Sequence, residues 1–318
     1  MKALRVLSHD GAPVLAEVEP GEPEHGEVRL RIEACGLNHA DLLLARGTYQ
    51  ATPEVPFTLG LELCGRVEAL GAGVEVPGLG TRVAVYAGQG GLAEAGIFPA
   101  DRCVAVPDDM PSEVAAGFQI AYGTSHLALT RRGRLAAGET LLVLGAAGGV
   151  GLTAVEIGAA LGARVLAVAR GPDKAEVARA AGAAEVFDSE DPEIKSRLKA
   201  EGVDVVYDAV GGELFRAALS ACRPEARILL IGFASGTVPE IRANHLLVKN
   251  VSVAGVYWGG YLDFAPDVLR ESLETCFAWY AEGRLRPHVS HVLPLDRAGE
   301  ALDLLRSRSA TGKVVVRM

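Results

Sequence analysis

The spacing of apolar positions changes character near residue 118. Before it, Ala3–Leu7, Glu27–Ala34, Leu61–Leu70 and Arg82–Tyr86 are short, partly alternating runs rich in Val, Leu and Ile. Pro20-Gly21, Gly71-Ala-Gly73, Pro77-Gly78 and Gly88-Gln-Gly-Gly91 punctuate them. This predicts an antiparallel, barrel-like domain. Ser112 is placed to cap a short helix containing Ala115 and Ala116, and Thr124–Thr130 reads as another. Strands and helices then alternate. Leu141–Leu144, Val165–Ala169, Glu185–Phe187, Val203–Tyr207, Arg227–Ile231 and Val251–Val256 read as strands, and Pro172 and Gly182 bracket one of the helices. Such alternation predicts a doubly wound parallel six-stranded sheet of α/β class. After Tyr261 it stops: Pro266–Gly283 reads as one helix, with Val268, Leu273, Phe277 and Tyr280 near one face. Pro294–Ser307 reads as another, capped by Asp296. The last strand, Gly312-Lys-Val-Val-Val-Arg317, has no place among the six. The expected division is therefore 1–118, completed by 262–318, with 119–261 inserted as a dinucleotide-binding domain.

The centre of that insertion is Thr140-Leu-Leu-Val-Leu-Gly-Ala-Ala-Gly-Gly-Val-Gly-Leu-Thr153. It reads as a buried strand, a glycine-rich turn and a helix start, which is the phosphate-binding entry of a dinucleotide fold. Helix N-termini offer unpaired N–H groups and a positive dipole end to a pyrophosphate. Ala147, Gly148, Gly149 and Val150 are the candidate contacts. The G-x-G-x-x-G pattern reads here as Ala146-Ala-Gly148-Gly-Val-Gly151, so its first glycine is an alanine. The competing reading is a tight turn in another α/β fold.

NAD-preferring folds place an acid about 20 residues beyond the glycines, where it binds the ribose 2′-hydroxyl. Here the second strand ends Val168-Ala-Arg170-Gly-Pro-Asp-Lys174. Arg170 and Lys174 would meet a 2′-phosphate that an acid would repel, which favours NADPH over NADH. Asp173 between them keeps open a reading as charges on a helix cap. Asp208 and Gly232-Phe233 fall at C-terminal ends of predicted strands, the edge that lines the ligand crevice of open α/β sheets. Asp208 equally suits a helix cap.

Composition narrows the class. The chain has 318 residues, 49% of them hydrophobic, and a formal charge of −9 with no basic block, which argues against a nucleic-acid partner. The longest apolar region, 141–169, carries Glu156 and Arg164, so no membrane span is expected. The N-terminal apolar run is too short for a signal peptide. Five scattered cysteines without C-x-x-C spacing read as buried thiols of a soluble cytoplasmic protein.

Taken in order, Gly36-Leu-Asn38-His-Ala-Asp41, Arg46-Gly-Thr-Tyr49, Pro56-Phe-Thr-Leu-Gly60-Leu-Glu62-Leu-Cys-Gly65-Arg-Val67, the glycine turn and Gly312-Lys-Val-Val carry a resemblance over essentially the whole chain. The chain resembles the zinc-free quinone oxidoreductases (zeta-crystallin-like) of the medium-chain dehydrogenase/reductase superfamily. The resemblance implies a GroES-like catalytic domain with an inserted Rossmann domain, bound NADPH, and a homodimer or homotetramer. It implies that Asn38 and Tyr49 line the substrate site and that Thr124 lies near the nicotinamide. Asn38 would donate to a quinone oxygen or bond its own turn, Tyr49 would donate or stack, and Asp41 reads as a capping residue. Gly232 and Phe233 join the cofactor candidates.

Zinc members of the superfamily carry a ligand Cys where this chain has Asn38, and a His where it has Leu61. Leucine has no lone pair to donate, and no four-cysteine lobe fits within 86–100, so no metal is expected. Without a Lewis acid, a conjugated acceptor that spreads the incoming charge is the easier substrate. The expected activity is NADPH-dependent quinone reduction. The alternatives are reduction of enoyl thioesters or other activated alkenes, or nucleotide binding without turnover. Two departures stand out: His126 replaces the usual aromatic, commonly Tyr, beside the cofactor. Phe187-Asp188-Ser189 replaces an Asn-Tyr whose Tyr helps hold the 2′-phosphate.

Overall fold

The switch from short alternating strands to β/α alternation becomes a division into two units. A computed structural model describes residues 1–318. One unit comprises Met1–Ile120 and Pro287–Met318, the other Ala121–Arg286. The first unit holds strands β1 (Lys2–Val6), β2 (Val14–Glu17), β3 (Glu27–Leu37), β4 (Phe57–Thr58), β5 (Glu62–Leu70), β6 (Arg82–Tyr86), β7 (Ala95–Pro99) and β8 (Cys103–Ala105). The second holds β9 (Thr140–Leu144), β10 (Arg164–Ala169), β11 (Glu185–Asp188), β12 (Val203–Asp208), β13 (Cys222–Leu230) and β14 (Ser252–Gly255). The chain then returns to the first unit for β15 (Val289–Pro294) and β16 (Lys313–Arg317).

In the first unit a small sheet runs β2-β1-β4 and a seven-stranded sheet runs β15-β16-β3-β5-β6-β8, with β7 also paired to β3. The leftover C-terminal strand finds its place here. Val314 to Arg317 pair antiparallel with Leu37 to Ala34. Alternate residues of β3, Val28, Leu30 and Ile32, enter a core with Leu63, Val67, Val83, Val85 and Phe98. That is the period-2 pattern seen in the sequence.

The second unit carries a six-stranded parallel sheet of order β11-β10-β9-β12-β13-β14. Every residue of β9 is buried, because helices cover both faces of the sheet. The chain leaves β9 toward β10 and β11, then restarts on its other side at β12, so the switch point lies between the C-terminal ends of β9 and β12.

Some local expectations are corrected. Helix Pro266–Ala281 belongs to the second unit, which therefore ends at Arg286 and not at 261. The reason is packing: this helix buries Leu269, Leu273, Cys276 and Phe277, and its Ser272 and Cys276 bond His126 and the Tyr122 carbonyl on helix Gln119–Leu127. Val268 is only half-buried. Ser112 does not cap its helix; its hydroxyl donates to Glu33 at 2.5 Å. Asp296 lies within a 3₁₀ turn, Leu295–Arg297, ahead of helix Ala298–Arg306. Helix Gln119–Leu127 continues into a π-helical turn, Ala128–Arg132. Pro172 and Gly182 do bracket helix Pro172–Ala180.

The turn after β9 explains the missing first glycine. Gly145 adopts φ +73° and makes the sharp turn, so the fully buried Ala146 next to it needs no unusual conformation. Gly151 is required for a different reason: a Cβ there would stand 2.1 Å from the Gly145 carbonyl oxygen, a backbone atom that cannot step aside. At Gly148 a Cβ would meet nothing nearer than that same oxygen at 3.4 Å. Gly151→Ala is expected to destabilise the protein by about 2–4 kcal/mol, and Gly148→Ala by less than about 0.5 kcal/mol. Urea denaturation of the two variants checks this contrast.

Candidate functional site

In the second unit the candidate site gathers at the C-terminal edge of the sheet. The Gly145 and Ala146 N–H groups donate to the Val168 carbonyl, and Gly148 N–H donates to Gly145, which closes the turn onto β10. Helix Gly149–Ala160 starts with Gly148 as its N-cap residue. Its first N–H groups, those of Gly149 and Val150, have no carbonyl four residues back to meet. Both residues are partly exposed and Gly148 is exposed, whereas Ala147 is buried. The helix start thus presents donors and a positive dipole end to open space.

Arg170 follows β10 directly and is exposed, and Lys174 lies in the first turn of helix Pro172–Ala180. Asp173 shares that turn, and Asp188 ends the neighbouring β11 opposite Ala169. Across the switch point, the Asp208 carboxylate accepts N–H bonds from Val210 and Gly211, each at 2.8 Å. It therefore holds the turn that leads into helix Gly212–Ala221, while the N-cap of that helix is Gly211 and carries no side-chain cap. Its other oxygen is buried without a partner, and burial pushes the carboxyl up. Gly232 borders open space, the nearest atom to a Cβ there being the Ala209 carbonyl oxygen at 3.6 Å. Phe233 beside it is 36% exposed.

Hydroxyl groups beneath the glycine turn escaped the sequence reading. Ser125 Oγ lies 2.9 Å from the Val150 carbonyl, 2.7 Å from Thr153 Oγ1 and 3.0 Å from Tyr207 OH. These groups fasten helix Gln119–Leu127 under the start of the next helix. Their signal in the sequence is faint, since Ser, Thr and Tyr on separate elements share no spacing. Thr124, next along, is buried. His126 is occupied elsewhere: Nδ1 lies 2.7 Å from Ser272 Oγ, and its ring meets Trp279 edge-on at 5.4 Å. Burial holds its pKa below the ordinary value. The structure thus packs His126 against helix Pro266–Ala281.

In the first unit the site centres on Asn38, between the end of β3 and helix His39–Ala45. The partner missed by the sequence reading is Lys313, which opens β16. Its buried ammonium donates to the Leu37 carbonyl, Asn38 Oδ1 and Glu62 Oε1, each at 2.8 Å. Asn38 Nδ2 donates to Glu62 Oε1 at 2.9 Å and to the Gly36 carbonyl at 3.3 Å. Glu62 Oε2 accepts the Ile120 N–H at 2.9 Å. The charged pair is thus satisfied on every side, the condition for burying ions. Leu61 is 2% exposed, and no three His, Cys, Asp or Glu side chains are grouped to hold a metal ion. Tyr49, in the loop after the helix, is half-buried.

Burial and neighbouring carboxylates push the fully buried Cys35 thiol well up, so it stays neutral and serves packing. Asp41 accepts the Asn38 backbone N–H at 2.8 Å, as a capping residue does, while its other oxygen is buried without a partner. Burial pushes its carboxyl up to about 7, against the opposing pull of the Asn38 N–H and Lys313. Because the folded state holds this proton more tightly than the unfolded chain, stability is lost as pH rises between the two values. The loss begins at about pH 4 and is complete above about pH 7, on the order of a few kcal/mol. Asp41→Asn keeps an acceptor for Asn38 and removes the charge. Denaturation at about pH 5 and about pH 8 is expected to show a markedly smaller drop in the variant than in the parent.

Comparison with known proteins identifies the family of the chain. Residues 24–108 match the alcohol dehydrogenase GroES-like domain, and residues 149–275 match the family described as zinc-binding dehydrogenase. A quinone oxidoreductase-like protein 2 homolog of Nematostella vectensis is 36% identical over 315 residues, covering 96% of this chain and 86% of its own. A quinone oxidoreductase of Pseudomonas aeruginosa is 32% identical, with 99% of each chain covered. Among solved structures, the Thermus thermophilus quinone oxidoreductase, determined also in complex with NADPH, is 35% identical with a TM-score of 0.87 over 100% of both chains. The Escherichia coli quinone oxidoreductase complexed with NADPH is 27% identical with a TM-score of 0.93, again over 100% of both. The chain is an oxidoreductase of the medium-chain dehydrogenase/reductase superfamily and belongs to its quinone oxidoreductase (zeta-crystallin-like) branch.

Proposed function

We propose that the protein reduces quinones with NADPH, without zinc. The observation that carries this reading is the open helix start after Gly148 with Arg170 and Lys174 at the ends of the next strand and helix turn. Ala147, Gly148, Gly149 and Val150 would cradle the pyrophosphate, and the two cations would hold the 2′-phosphate. The space left open by Gly148 and Gly232 fits such a ligand. Thr124, Gly232 and Phe233 would border the nicotinamide half. Bound there, NADPH would supply the hydride. Solvent supplies the proton that completes the hydroquinone. Asn38 and Tyr49 would orient the acceptor: the Asn38 hydrogen on the long 3.3 Å bond to Gly36 is the less tightly held of the two and would be shared with a quinone oxygen. Leu61 and the lysine-saturated Glu62 support chemistry that needs no zinc, and favour an acceptor that delocalises its own charge.

Four buried thiols and a fifth half-buried one, all free, support a reducing, cytoplasmic setting. No helix is long and apolar enough to cross a membrane. A homodimer or homotetramer is supported by β14, which ends its sheet, and by the neighbouring exposed Leu247 and Val248.

Three outcomes check this reading. NADPH oxidation is expected with para-benzoquinone or phenanthrenequinone and to persist in chelator; turnover of crotonyl-CoA alone would move the substrate to enoyl thioesters. Arg170→Ala with Lys174→Ala is expected to raise KM for NADPH about tenfold or more and KM for NADH less than about twofold. Light scattering after size exclusion is expected to give the mass of a dimer or tetramer, and Leu247→Asp with Val248→Asp to lower it.

A further inference from the structure

We infer that Lys313, with Glu62, is a positioning residue that fixes which way the Asn38 amide faces. A primary amide can turn over, exchanging its oxygen and its NH₂ group at little cost in shape. Here its two neighbours forbid the exchange. An ammonium only donates, so the atom 2.8 Å from Lys313 Nζ must be the oxygen of Asn38. A carboxylate only accepts, so the atom 2.9 Å from Glu62 Oε1 must be the nitrogen. After a turnover the NH₂ group would confront the ammonium and the oxygen would confront the carboxylate. The pair has little freedom of its own. All three ammonium hydrogens are engaged, and Glu62 is tied on its far side to the Ile120 N–H. Both side chains are buried, at 8% and 1% exposure, so water does not compete for these bonds. One amide hydrogen is committed to Glu62, and the other, on the 3.3 Å bond to Gly36, keeps a single direction. This rests on Asn38 meeting the acceptor, as proposed above. The role of Lys313 is to make that hydrogen's direction a property of the folded protein.

Asparagine occurs only at positions 38, 244 and 250, so ¹⁵N-asparagine labelling yields three side-chain NH₂ groups. In the parent, one of them is expected to exchange with solvent far more slowly than the other two. It is identified by its absence in Asn38→Ala. In Lys313→Met its exchange is expected to rise about tenfold or more. The same variant is expected to lower kcat with a quinone about tenfold or more, and to leave NADPH affinity within about twofold. Lys313→Met is expected to cost little further when placed in Asn38→Ala. Should Lys313→Met fail to fold, Lys313→Met/Glu62→Leu removes both buried charges together and should show the same fast amide. An unchanged Asn38 amide in a folded variant would overturn the inference, as would losses that multiply with those of Asn38→Ala. A parent with the slow amide but no quinone turnover would instead defeat the proposed function and leave the orienting role standing.

Discussion

The close approach of helix Gly149–Ala160 to the turn that precedes it is the constraint on which the nucleotide-binding half depends. Gly151 brings one strand-to-helix junction within contact of the Gly145 carbonyl, where no side chain fits. That closeness aims the first turn of the helix at the sheet's C-terminal edge. The switch point then places Asp208 and its turn on the opposite side of β9. The donors of the helix start, the cations after β10 and the small residues after β13 all lie at this one edge. Beneath it, the hydroxyl groups of Ser125, Thr153 and Tyr207 satisfy one another and the Val150 carbonyl. A buried polar layer of this kind resists deformation because each lost bond would strand a partner away from water.

Much of this was legible in the sequence because it depends on period and punctuation. Six buried strands with helices between them leave a period that changes near residue 118, and the sheet follows it strand for strand. The final strand was legible by subtraction, having no place in the parallel sheet. The boundary at 262 was not. Helix Pro266–Ala281 has the same amphipathic spacing whichever unit it packs on, and only its bonds to Tyr122 and His126 decide the matter. Ser112 and Asp296 sat at positions that suit caps, yet Glu33 claims the first and a 3₁₀ turn absorbs the second. Local preference worth about 1 kcal/mol yields readily to tertiary partners.

Lys313 shows the limit most sharply. In the sequence it is one charge before an apolar run, 251 residues from Glu62, and charges at strand starts are ordinarily solvated. Nothing local marks it as buried. What marks it is the combination, visible only in three dimensions, of a backbone carbonyl, a side-chain amide oxygen and a carboxylate converging within bonding distance. Of the two readings offered for Asn38, the bond to its own turn is present, to the Gly36 carbonyl, and neither reading anticipated that both ends of the amide are held by Lys313 and Glu62.

The pairing also bears on the kind of acceptor the site suits. An ammonium matched by a carboxylate contributes oriented bonds but little net charge, since the two fields largely cancel beyond a few ångströms. A site of this kind cannot carry an isolated alkoxide as a doubly charged metal would. On the proposed function it would direct a single hydrogen toward an oxygen whose charge is already shared across a conjugated ring. On the proposed function, Leu61, where the resemblance sets a zinc ligand, and the saturated Glu62 would act in the same direction: fixed orientation in place of Lewis-acid strength, and an acceptor that supplies its own delocalisation.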